Sequence, residues 1–169
     1  MKYLIVLLLV SISLAALEVG STLPTVTLEG DTGGKLDGTA FESDSLKGKV
    51  HLVFYVDPDE KDLNNELSDA VKAEKFDRSR YGSVAIINMD ATWLPNFAIA
   101  SSLKAKQEKF PDTLYVKDLE KVLVKAWDIA DDNSDIILLD KEGKIIYLFE
   151  GKLDEEQIQT VIKLIGENI

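Results

Sequence analysis

Apolar positions along this chain follow two periods in turn. Residues 50–56 read Val-His-Leu-Val-Phe-Tyr-Val, nearly continuous in β-branched and aromatic residues, and stop at Asp57-Pro58. A run that is apolar on both faces suits a central strand covered by helices. Residues 83–88 and 135–139 repeat that signature. Between them, Leu63, Leu67, Ala70 and Val71 recur at helical spacing, which predicts a one-sided helix over 62–76 with Asp59 to Asp62 at its start. Phe97, Ala100, Leu103, Gln107 and Phe110 mark a second helix closed by Pro111.

A short strand at 113–116 and a short helix at 122–127 follow, and 145–149 folds back on 135–139 through Lys141-Glu142-Gly143-Lys144. Ile158, Val161, Ile162 and Ile165 form the stripe of a last helix begun by Asp154, Glu155 and Glu156. Near the start, Thr25-Val26-Thr27-Leu28 and the pair Gly33-Gly34 read as a small hairpin with the glycines at its turn. The order predicts an α/β fold: a three-layer sandwich with one mixed central sheet, helices on both faces and an N-terminal β-hairpin.

Residues 1–15 break this pattern. Lys2, an apolar run and the small residues Ser13, Ala15 and Ala16 make the pattern of a secretory signal peptide cleaved after Ala15. A retained anchor would need roughly 20 apolar residues, more than this run supplies. The expected mature protein is therefore a single domain over 16–169, exported, with no membrane span. Its 169 residues before processing are enough for one core without disulfides.

The charge is −11, and cleavage would also remove Lys2, so nucleic acid and anionic membrane surfaces are unsuitable partners. There is no cysteine, which excludes thiol-disulfide exchange and peroxiredoxin chemistry, and with one histidine no zinc cluster of Cys and His can form. No phosphate-binding loop is present, since Gly33-Gly34 opens no helix, and no cofactor is expected.

Leu46-Lys47-Gly48-Lys49 before the first central strand, and Leu138-Leu139-Asp140-Lys141-Glu142-Gly143-Lys144-Ile145-Ile146 leading to Gly151, resemble the thioredoxin superfamily in its exported branch. More narrowly, Ile87-Asn88, Asp90-Ala91, Ser101-Ser102-Leu103, Ala126-Trp127 and the closing Leu139 to Gly143 resemble the YtfJ family of bacterial periplasmic proteins. The resemblance implies a thioredoxin-like fold and a periplasmic place, with no assigned activity. Two departures stand out. Where thioredoxins carry Cys-x-x-Cys at a helix N-terminus this chain has Asp57-Pro58-Asp59-Glu60, and where they carry a cis-proline it has Asp132-Asn133-Ser134-Asp135. Without the proline ring a cis bond costs about 2.5–4 kcal/mol, so a trans bond is expected.

The candidate site is the sheet end where sulfur would sit: Asp57, Asp59, Asp90, Trp93, Phe97, Asn133, Ser134 and Asp135 as binding residues, with no catalytic residue named. Trp93, Leu94, Pro95 and Phe97 offer an apolar anchor for a periplasmic protein or peptide, or else fold onto the core. The alternative function is a carboxylate- or calcium-dependent site at Asp57 and Asp59 with Asn133 and Asp135, in an enzyme or a metal-binding structural protein. Asp131, Asn133, Asp135 and Glu142 also match calcium-loop positions, but Ile136 stands where the turn needs glycine. His51 lies at the start of a strand, away from these loops, and is read as structural. Trp127 is read as core.

Overall fold

In a computed structural model, residues 16–169 are described, and the export segment expected at 1–15 lies outside them. The sequence-predicted central strand is β4 (Val50–Val56). It pairs parallel with β5 (Tyr81–Asn88) on one side and antiparallel with β7 (Ser134–Leu139) on the other. β6 (Thr113–Asp118) extends the parallel side and β8 (Ile145–Glu150) the antiparallel side, while β2 (Gly33–Lys35) closes the β6 edge. The six-stranded order is β2-β6-β5-β4-β7-β8.

Side chains of β4 alternate between two cores because successive residues point to opposite faces. Leu52 and Phe54 pack with Leu67 and Val71 of α1 (Asn65–Glu74) and with Ile158, Val161 and Ile165 of α4 (Glu155–Asn168). α2 (Asn96–Lys109) lies on the same face, where Ile99 meets Ile87 and Tyr115. Val53 and Tyr55 point the other way, into a core with Ile137, Val84 and the Trp127 of α3 (Val122–Trp127). Trp127 is fully buried, and its Nε1 donates to the Pro24 carbonyl at 3.0 Å, so the largest core side chain leaves no polar atom unpaired.

β1 (Thr27–Leu28) pairs antiparallel with β3 (Phe41–Glu42), giving the small N-terminal ribbon. Gly33 and Gly34 are not its turn. They form β2 and pair with Asp118 and Lys117, with φ of 128° and 127°. A Cβ on Gly33 would collide with the Lys117 carbonyl, and one on Gly34 would lie 2.7 Å from the Thr39 carbonyl oxygen. The glycines serve close backbone approach, a role their pairing hid behind that of a turn.

α1 begins later than its apolar spacing suggests. Residues 58–60 first make a 3₁₀ turn capped by the Asp57 carboxylate, and Asn64 then ties the helix start to the far strands. The Asn64 amide donates to Ser134 Oγ and the Gly151 carbonyl, and its Oδ1 accepts from Leu153 N–H. α4 starts where expected, with Asp154 and Gln157 forming a reciprocal capping pair at 2.8 Å each way.

Truncating Trp127 to alanine should destabilise the fold by about 3–5 kcal/mol, through lost burial and a residual cavity. Urea unfolding should show a lower midpoint with an unchanged denaturant slope.

Candidate functional site

Because β4, β5 and β6 run parallel and β7 runs against them, Asp57, Asn88, Asp118 and Ser134-Asp135 meet at one end of the sheet. Tyr55, Asn88, Asp118 and Asp135 fall on the same face as Val53, Ile86, Val116 and Ile137, so the α3 core ends in a buried polar layer. Asp118 is its hub. Its carboxylate accepts from Val122 N–H and Leu123 N–H, each at 2.9 Å, and from the Tyr55 hydroxyl at 3.1 Å. It thereby starts α3 and fixes Tyr55, whose ionisation burial and the Asp118 charge push far above its ordinary range.

The Asn88 amide donates to the Asp131 carbonyl and carboxylate at 2.9 and 3.0 Å, and Lys121 Nζ pairs with the other Asp131 oxygen at 2.9 Å. The Lys121 hydrogen bond holds the Asp131 carboxyl below the usual carboxylate range. Two buried oxygens in this layer have no hydrogen-bond partner among the described residues, Asn88 Oδ1 and Asp135 Oδ2. Asp135 is 3% exposed and lies opposite Glu150 on β8. Burial, reinforced by the Glu150 charge, pushes its pKa up to about 7.

The sequence-predicted residues occupy this end but do different work. Asp57 is buried, and its Oδ1 caps Asp59 N–H at 2.7 Å; burial, then the neighbouring charges of Asp59, Glu60 and Asp132, raise its pKa. Asp59 is exposed and accepts from the Thr92 hydroxyl at 2.9 Å, which brings the Trp93 loop against the Asp57 turn. Asn133 caps Ser134 N–H at 2.9 Å and reaches Glu150 at 3.3 Å, and its backbone carbonyl accepts from Asp57 N–H at 2.9 Å. Ser134 is buried, with its hydroxyl committed to Asn64. The peptide bonds here are trans, as expected without proline. Asp90 is exposed, and its charge acts on Lys121.

The proposed cation ligands therefore do not converge. Asp57 faces a backbone amide, Asp59 faces Thr92, Asn133 faces its own strand, and Asp135 faces the core; among the described residues no group of three or more His, Cys, Asp or Glu side chains could hold a metal ion. The calcium-loop spacing fails for the reason its sixth position suggests. Asp135 and Ile136 are in β7, and Glu142 sits in the turn at the opposite end of that strand. Trp93 is 88% exposed, while Leu94 packs against Ile99 and Tyr115. Phe97 is the second residue of α2, and its side chain lies outside the described ones. His51 is half-buried at the start of β4, with burial lowering its pKa, and it takes no part in the site.

Sequence reasoning missed a cavity of about 510 Å³ on the opposite face, between α1, α2 and the sheet. Phe54, Val56, Ala85 and Ile87 form its floor, and Ile99 and Leu103 form one wall. Its only signal in the sequence is the small residues Ala98 and Ser102 on α2, where larger ones would fill the space.

The raised pKa of Asp135 has a definite sign. Between the unfolded value near 4 and about 7 the folded chain keeps a proton that the unfolded chain has lost, so its stabilisation is complete at low pH and fades as pH rises through 7. Asp135→Asn should be more stable than the parent at pH 8 by about 1–3 kcal/mol and lose most of that advantage at pH 4. Urea unfolding at the two pH values checks this.

Among solved structures the chain is similar to the thioredoxin domain of a thiol-disulfide oxidoreductase from Bacteroides vulgatus, with TM-score 0.62, 20% identity and coverage of 89% of this chain and 99% of that one. It is also similar to a thiol peroxidase from Chromobacterium violaceum, with TM-score 0.62, 15% identity and coverage of 90% and 88%. Both show the thioredoxin-like fold, here without a cysteine. An uncharacterized protein of Haemophilus influenzae is 34% identical over 159 residues, 89% of this chain and 86% of that one. The uncharacterized protein YtfJ of Escherichia coli is 27% identical over 157 residues, 88% and 85%. The family described as "Bacterial protein of unknown function (YtfJ_HI0045)" matches residues 24–168, and the chain belongs to it.

Proposed function

We propose that this chain is an exported, non-redox binding or adaptor protein that recognises a periplasmic protein or peptide with the sheet end around Asp57, Asp90 and Trp93. The observation that carries this reading is Trp93. A tryptophan 88% exposed is held, through its neighbour Thr92, against the acidic turn at Asp59. Exposed aromatic residues of this size act as interface anchors, and the surrounding carboxylates favour a basic partner surface with an apolar socket. Export rests on the charged, apolar and small-residue order of residues 1–15. No helix among the described residues is long and apolar enough to cross a membrane.

Expressed from its full sequence in a bacterium, the protein should be recovered in the periplasmic fraction with a mass that begins at Ala16. Used as bait against that fraction, it should retain a specific partner. Trp93→Ala should weaken retention roughly thirtyfold, the effect of losing ~2 kcal/mol at an interface anchor. Asp59→Lys should weaken it too. Equal retention by both variants and the parent would overturn recognition at this end.

A further inference from the structure

The cavity between α1, α2 and the sheet has the dimensions and charge of a different site. Its volume of about 510 Å³ falls within the roughly 300–1,000 Å³ usual for small-molecule sites. It lies along β5, lined from Tyr81 to Ile87. Six residue rises of about 3.3 Å make that length about 20 Å, about a third more than one leaflet of a bilayer whose hydrocarbon core is about 30 Å thick. An extended acyl chain fits that distance. A peptide does not suit the floor, because β4, β5 and β6 are each paired on both edges and offer a new strand no backbone partners.

The roof is polar. Lys106 bridges to Asp62 at 3.0 Å, Lys109 to Asp69 at 2.8 Å, and Lys72 to the Lys109 carbonyl at 2.7 Å. Exposed bridges of this kind hold α1 to α2 weakly and can part to admit a ligand. Charge is distributed unevenly around the opening. Of the five lining cations, Lys61 and Lys106 pair with Asp62, whereas Lys72, Lys75 and Arg78, at the Tyr81 end together with Asp112, form no salt bridge with a carboxylate among the described residues. Lys72 and Arg78 instead donate to the carbonyls of Lys109 and Asp112. Such a concentration of cations in a chain of charge −11 complements an anionic headgroup.

We propose that this cavity binds one long-chain fatty acid, with its acyl chain along β5 toward Ile87 and its carboxylate among Lys72, Lys75 and Arg78. The proposal does not rest on recognition at the sheet end, although Pro58 and Leu94, which line the Ile87 end of the cavity, adjoin Asp59 and Trp93.

Calorimetric titration of the purified, delipidated protein with saturated fatty acids of ten to sixteen carbons, below micelle-forming concentrations, tests this. One molecule should bind per chain, with affinity rising about fourfold per methylene buried. Lys75→Glu, an exposed change, should weaken hexadecanoate about tenfold while leaving uncharged hexadecan-1-ol within about twofold. Ala85→Trp, which fills the floor, should abolish both, with its melting temperature showing that it folds. Absence of saturable binding, affinity that does not change with chain length, or equal loss of acid and alcohol in Lys75→Glu would each overturn the proposal. So would a dimer that binds no fatty acid.

Discussion

The fold depends on β4 being buried on both faces while hydrogen-bonded along both edges. A strand in that position takes apolar side chains along nearly all its length, with the half-buried His51 the exception, and it must be covered above and below. With β5 parallel to β4, a crossover through α1 is obligatory; β7 is antiparallel to β4, and β8, antiparallel to β7 in turn, follows it by a tight turn at Gly143. These two pairings also decide where polar groups collect. Strands running in opposite directions bring their C- and N-terminal residues together, so the buried polar side chains among the described residues gather at one end, apart from Ser43 beside Val26.

That end is occupied by hydrogen bonds rather than by reactive sulfur. Asp118 starts α3, Asn88 and Lys121 hold Asp131, Asp57 caps the turn after β4, and Asn64 binds the α1 start to Ser134. Each polar group placed there replaces a contact with water by one with the protein, and a missing partner is expensive. The two unpartnered oxygens, Asn88 Oδ1 and Asp135 Oδ2, are the layer's weak points. The opposite face, by contrast, leaves apolar area uncovered between two helices.

Much of the architecture was legible because it rests on periodicity. The residues of β4 and α3 were readable to their ends, since a continuous apolar run and the apolar patch at 122–127 have no competing local signal. Gly33-Gly34 was not, because the same residue serves a turn and a close approach, and only the pairing with Lys117 and Asp118 distinguishes them. The site end was legible as a location, through Asp57 and Asp135, but not as a geometry. Spacing shows that two carboxylates reach one end, and it cannot show that one faces an amide and the other the core. Asp118 and Asn88 were overlooked because a lone polar residue closing an apolar strand gives no sign in sequence of what it will bond. The cavity left no trace beyond Ala98 and Ser102 for a related reason: a void is a property of distances between helices.

The glycine pair has one more effect. A mixed sheet ends in two strands whose outward amides and carbonyls could recruit another molecule's strand. On the β6 side that margin is a three-residue segment, two of them glycines at positive φ, already pressed against Lys117 and Thr39. So brief and distorted a border gives a foreign strand no regular ladder to extend, and its third residue, Lys35, adds a charge against side-by-side polymerisation.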